Sequence, residues 1–159
     1  RYLRLITFWR YELPLLFRKY HTVLFYTFLM FAVFCSIAVF SAMKDDEFVT
    51  GVMGQEYVQM TEENIENGDP FGVYRSENRF FMFVRLALNN IRVGFMMVVG
   101  GLLGGVMTLY LLFKNSIMLG SFQYWFFSKG LGLQSVLVIW VHGTLEISGM
   151  ILECCAGFI

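Results

Sequence analysis

The chain has 159 residues, of which 57% are hydrophobic, 18% aromatic and 15% charged. Soluble domains carry about 25% charged residues, so this composition excludes an ordinary soluble domain and points to the membrane class. Basic and acidic residues balance at 12 each, and no cationic patch suited to nucleic acid is visible.

The zero net charge conceals an asymmetry along the chain. Residues 1–21 hold Arg1, Arg4, Arg10, Arg18 and Lys19 against the single acid Glu12, interleaved with Tyr2, Phe8, Trp9, Tyr11 and Phe17. Aromatics at headgroup depth and cations toward anionic lipid predict a basic interfacial helix, with the bilayer as its partner. Pro14 is expected to bend this segment or to start a second short helix. A chain that begins with Arg rather than Met reads as a fragment of a longer protein.

Residues 22–43 contain no charge and are long enough to cross a hydrocarbon core of about 30 Å as a helix. The run is too long for a signal-peptide h-region and is expected to remain as transmembrane helix 1. Residues 44–79 follow as an acidic loop, with Lys44, Arg75 and Arg79 facing nine carboxylates. The positive-inside rule then puts the N-terminus in the cytoplasm and this loop outside. Within it, 46–53 and 56–65 read as short amphipathic helices, and Asn67-Gly68-Asp69-Pro70 as a turn.

Residues 80–113 are too long for one perpendicular span and predict a long, broken transmembrane helix 2. Gly100, Gly101, Gly104 and Gly105 form two overlapping G-x-x-x-G registers, suited to close helix contact within the protein or to a break at Gly100-Gly101. Residues 114–130 carry too short an apolar stretch for a crossing and predict an interfacial or re-entrant helix. Its lysines, Lys114 and Lys129, return this connection to the cytoplasm in the three-span topology. Residues 131–159 form transmembrane helix 3.

The third span is interrupted by His142 and Glu146, which share a helical face at i, i+4, and two further steps along that face lead to Gly149 and then Glu153. An ionisable group at mid-bilayer costs about 2.5–3.5 kcal/mol on the lenient insertion scale, so each such group calls for a partner and a purpose. Arg85, Asn89 and Arg92 share a face of the second span, with Asn90 beside it. Were these two helices antiparallel, Arg92 would meet Glu146 and Arg85 would meet Glu153, with Asn89 and His142 adding hydrogen bonds. The cluster then reads as interhelical glue. The competing reading is a proton or ion path through His142 and Glu146. Intramembrane hydrolysis would need Thr144 or Ser148 as nucleophile beside His142.

No catalytic set, cofactor motif or metal-ligand set is expected. His142-x-x-x-Glu146 lacks the second His of a zincin, and Cys35, Cys154 and Cys155 read as small buried residues.

Leu88-Asn89-Asn90 before a Gly-rich span, then Lys114-Asn115-Ser116-Ile117-Met118-Leu119-Gly120, then His142-Gly143-Thr144-Leu145-Glu146-Ile147-Ser148, resemble the stage II sporulation protein M family. The likeness covers roughly residues 80–157, and segments 6–19 and 64–70 resemble versions from Bacteroidetes-type bacteria that form no spores. Ser116 stands where the family usually has Gly, and Glu153-Cys154-Cys155 replaces small apolar residues. The resemblance implies a polytopic protein of the bacterial cytoplasmic (inner) membrane, whose namesake is similar to a scaffold holding peptidoglycan-degrading enzymes during engulfment.

The resulting expectation is an all-α, polytopic, non-enzymatic membrane scaffold. Membrane or envelope proteins, or further copies of the chain, are its partners. The alternative is a subunit of a proton- or ion-coupled transporter or channel.

Overall fold

The computed structural model describes residues 2–70 and 79–159, without the side chains of residues 2, 3, 79 and 138–142. The expected loop residues Arg75 and Glu77 and the His142 side chain lie outside the described residues.

Helix α1 (Tyr2–Thr7) passes through a π-helical turn, Phe8–Glu12, into α2 (Leu13–Lys44) without interruption. Pro14 has no N–H to offer the carbonyl of Arg10. The Leu13 amide reaches back to the Phe8 carbonyl, so the helix widens locally instead of ending. The expected interfacial segment 1–21 is therefore no separate element. It is the first part of an apolar rod, Arg4–Lys44, of 41 residues. At 1.5 Å per residue the rod is about 60 Å long, twice a hydrocarbon core.

Two short helices follow, α3 (Asp46–Met53) and α4 (Gln55–Glu66), close to the positions that amphipathic spacing predicts. Asp45 caps α3 by accepting from the Glu47 amide at 2.9 Å. Gly54, at φ +90, lets the chain turn between them. Their apolar faces bury Val49 and Val58 against Ala42, Trp125 and Phe126, so the pair forms a cap over one end of the molecule.

The remaining chain differs from the expected division. Helix α5 (Arg79–Val99) runs into a 3-10 turn, Gly100–Leu103, and the chain reverses at Gly104 and Gly105, both left-handed at φ +67 and +76. Helix α6 (Val106–Ser128) then joins the second half of the expected broken helix to the expected interfacial segment 114–130. At 23 residues it is about 35 Å long, enough for a crossing. The reversal was invisible to hydropathy because glycine turns and glycine-rich helices are equally apolar. Helix α7 (Gly132–Gly157) completes the fold.

Helices α2 and α6 share the largest interface and run in the same direction. Along it the Cys35 thiol donates to the Ser116 carbonyl at 3.4 Å, and Ala42 packs beside Trp125 and Phe126. Gly120 makes this seam close, since a Cβ there would stand 2.8 Å from that of Ala38. Phe31, Met97, Leu111, Leu112, Ile151 and Cys154 bring α2, α5, α6 and α7 to one core. Among the described residues, two segments are long and apolar enough to cross a membrane, Arg4–Lys44 and Phe80–Leu103.

Candidate functional site

Three glycines and a threonine set how α5, α6 and α7 meet. The Thr108 hydroxyl on α6 donates to the Met97 carbonyl on α5 at 2.7 Å. Gly157 of α7 lies against that same carbonyl, so a Cβ at 157 would overlap it and crowd the Thr108 side chain. Gly101 in turn lies on the Gly157 backbone, and Gly100 on Thr108. Only residues without side-chain bulk allow three backbones to approach this closely. The four glycines that formed overlapping registers in the sequence thus divide their work. Gly100 and Gly101 make the contact, whereas Gly104 and Gly105 make the turn.

This junction fixes the direction of α5 and α7. Gly94 packs against the Glu153 carboxyl, and Met97 accepts from the Cys154 thiol at 3.4 Å, so numbering rises together along both helices. They run parallel, not antiparallel as the three-span topology required. The cause is α6, which returns the chain to its starting side before α7 begins.

The expected ion pairs are consequently not formed. Residues advance by about 100° around a helix. Arg92 and Arg85 lie about half a turn around α5 from Gly94 and so point away from α7. Among the described residues, no hydrogen bond or ion pair joins Arg92 to Glu146 or Arg85 to Glu153. Arg85, Asn89 and Arg92 are exposed, and Asn90 is half-buried on the side nearer Gly94. Seven residues back from the Gly94–Glu153 contact on both helices, Glu146 stands level with Ala87 and is exposed.

Lys114 also changes place. It lies within α6 rather than in a connection, and it is exposed. It stands six residues beyond Thr108, while Arg92 stands five before Met97 on the antiparallel α5. The Thr108–Met97 bond therefore brings Lys114 and Arg92 to nearly the same height. Arg92, Lys114 and Glu146 all occupy the middle of their helices, face outward and have no polar partner among the described residues. Sequence reading singled out Arg92 and Glu146 but missed Lys114 as a mid-helix residue and the outward direction of all three, because these depend on which way each helix faces.

Other polar residues serve the helices themselves. The Ser148 hydroxyl donates to the Thr144 carbonyl at 2.7 Å, Ser116 to Leu112 at 2.6 Å, and the Asn115 amide to Leu111 at 2.8 Å. Such i−4 bonds satisfy side chains in an apolar setting. Gln123 donates to Ser135 at 2.9 Å, tying α6 to α7 near the cap. Among the described residues no group of three or more His, Cys, Asp or Glu could hold a metal ion.

No curated protein and no solved structure matches the chain. The residues that carry the arrangement, from the α2 seam through the glycine reversal to α7, fall within residues 25–159, which match the family model described as stage II sporulation protein M. With two helices long and apolar enough to cross a membrane and this match over most of its length, the chain belongs to the stage II sporulation protein M family.

Proposed function

We propose that the chain is the membrane-embedded part of a non-catalytic scaffold that gathers cell-envelope proteins in the bacterial cytoplasmic membrane. In this reading α2, α5, α6 and α7 all cross. The N-terminus and the Gly104-Gly105 turn lie in the cytoplasm, and the α3–α4 cap lies outside. The five basic residues in 1–21 and the acidic balance of the cap support that orientation.

The observation that carries the scaffold reading is the outward position of Arg92, Lys114 and Glu146 at mid-helix, without polar partners among the described residues. Each would cost several kcal/mol facing lipid, on the order of 2.5–3.5 by insertion scales. Neighbouring proteins that supply matching groups remove that cost. A bundle closed on itself would bury or omit these residues.

In-membrane crosslinking and affinity recovery of the full-length protein test the proposal. A reproducible set of envelope proteins is expected, reduced when Glu146→Gln or Arg92→Gln is introduced at unchanged protein level. If recovery is empty and Glu146→Gln abolishes a pH-dependent flux, the scaffold reading fails in favour of transport.

A further inference from the structure

One face of α5 repeats at alternating steps of four and three. Phe81, Arg85, Leu88, Arg92, Phe95 and Val99 follow that spacing, which brings one side of a helix to a partner helix along its whole length. Every member is exposed, including Phe81 at 70%, Leu88 at 62% and Phe95 at 69%. The opposite side of α5 carries Gly94 and Met97, which with Gly101 in the turn beyond already hold α6 and α7. The seam is thus a second packing face, and among the described residues nothing packs over Leu88, Arg92 and Phe95.

Its chemistry narrows the occupant. Arg92 sits at the middle of Phe80–Leu103, the segment long and apolar enough to cross a membrane. A guanidinium does not lose its charge at any accessible pH, and mid-span it is too deep to reach either interface by extension. Lys114 stands at the same height on the neighbouring helix, so two outward cations share one depth. Asn89, one turn from Arg92, adds a hydrogen-bonding amide.

We infer that the α5 seam receives a membrane-spanning helix of a partner protein, with apolar side chains against Phe81, Leu88 and Phe95 and a carboxylate at the depth of Arg92. This rests on the scaffold reading and names the face through which assembly occurs. The carboxylate accepts from the Arg92 guanidinium, and the pair replaces two separate costs in hydrocarbon with one satisfied contact. Glu146 and Glu153 do not serve this role within the chain, since they lie on the other side of α5.

The test uses the full chain in bacterial membranes with a photocrosslinking residue at Leu88. It is co-expressed with leucine-rich spanning helices that carry Glu, Gln, Leu or Lys at their midpoint. The Glu helix should crosslink about tenfold better than the Leu helix, as an interhelical polar contact in lipid implies. Arg92→Glu should move the preference to the Lys helix. Arg92→Gln, which keeps a hydrogen-bonding group and removes charge, should level the Glu and Gln helices. Retained helical content by circular dichroism shows that each variant folds.

Equal yields for Glu and Leu helices, or a preference that survives Arg92→Glu, overturn the inference. Crosslinking at Leu88 between two copies of this chain, at the expense of every test helix, also overturns it and assigns the seam to a dimer. Should the seam test fail while envelope proteins are still recovered, only the docking face is lost. Should it succeed while no envelope protein is recovered, the scaffold reading is the one that falls.

Discussion

The Lys129 ammonium donates to the Glu62 carboxylate at 2.7 Å, joining the α6–α7 turn to the second helix of the acidic cap. Lys129 also lies 5.6 Å from the centre of the Trp125 ring, so the same cation rests on the aromatic end of α6. Both ends of the pair are part-exposed, and such a pair contributes about 0.2–1 kcal/mol. Its greater consequence is positional. The turn after α6 and the cap lie on one side of the molecule, whereas the three-span reading set them on opposite sides of the membrane.

Labelling decides between those topologies. With Cys35, Cys154 and Cys155 replaced by alanine, Glu62→Cys and Lys129→Cys should both react with a membrane-impermeant maleimide applied from outside. Together they should be joined by a flexible bis-maleimide whose reach matches the Lys129–Glu62 side-chain pair. Protection of Lys129→Cys until the membrane is opened would restore the three-span arrangement.

Gly157 sits where α7 meets α5 and α6 at once. Gly157→Leu should lower the melting temperature in detergent sharply, because the side chain meets the Met97 carbonyl and Thr108 together. Overpacking a close contact typically costs about 1–3 kcal/mol, and backbone cannot yield as a side chain can. Gly101→Leu should behave alike, since it meets Gly157 itself. A melting temperature unchanged in both variants would place the α5–α7 contact elsewhere.

At the reversal the cost is conformational rather than steric. A Cβ at Gly104 would meet nothing within 4 Å, yet its φ of +67 lies where L-residues pay about 1–2 kcal/mol. Gly104→Val should therefore destabilise clearly, and Gly104→Asn much less, because Asn tolerates the left-handed region. Chemical unfolding of the two variants measures the difference. Equal loss in both would mean that space, not φ, governs the position.

Gly149 offers a contrasting case, with open space where its side chain would be. Gly149→Ala should stabilise α7 by about 0.5–1 kcal/mol, the usual helix preference for Ala. Gly149→Leu should leave the isolated protein's melting temperature nearly unchanged. A drop as large as that of Gly157→Leu would show the position to be packed.

Much of the local structure could be read from residues alone. The cap helices followed from amphipathic spacing after Lys44, and the rod through residues 22–43 from its unbroken apolar run. The Gly-rich stretch announced close contact but not its form. Whether Gly104 continues a helix or reverses it depends on φ, which an apolar composition does not encode. Pro14 misled in the same way, because a π-helical turn absorbs the missing N–H as well as a helix end does.

The polar residues show the division most clearly. Arg85, Asn89 and Arg92 share a face, and so do Glu146 and Glu153, by helical periodicity alone. Which faces meet depends on direction and register, and these come from contacts distant in sequence: Met97 with Thr108, Gly94 with Glu153, Cys35 with Ser116. The sequence by itself determined an all-helical membrane chain, its family and the stripes along its helices, since hydropathy, spacing and motif are local properties. Tertiary structure alone decided that α5 and α7 run parallel and that Arg92 faces outward. The physical reason is that one glycine reversal inserts a returning helix, and an odd number of returns changes every later direction.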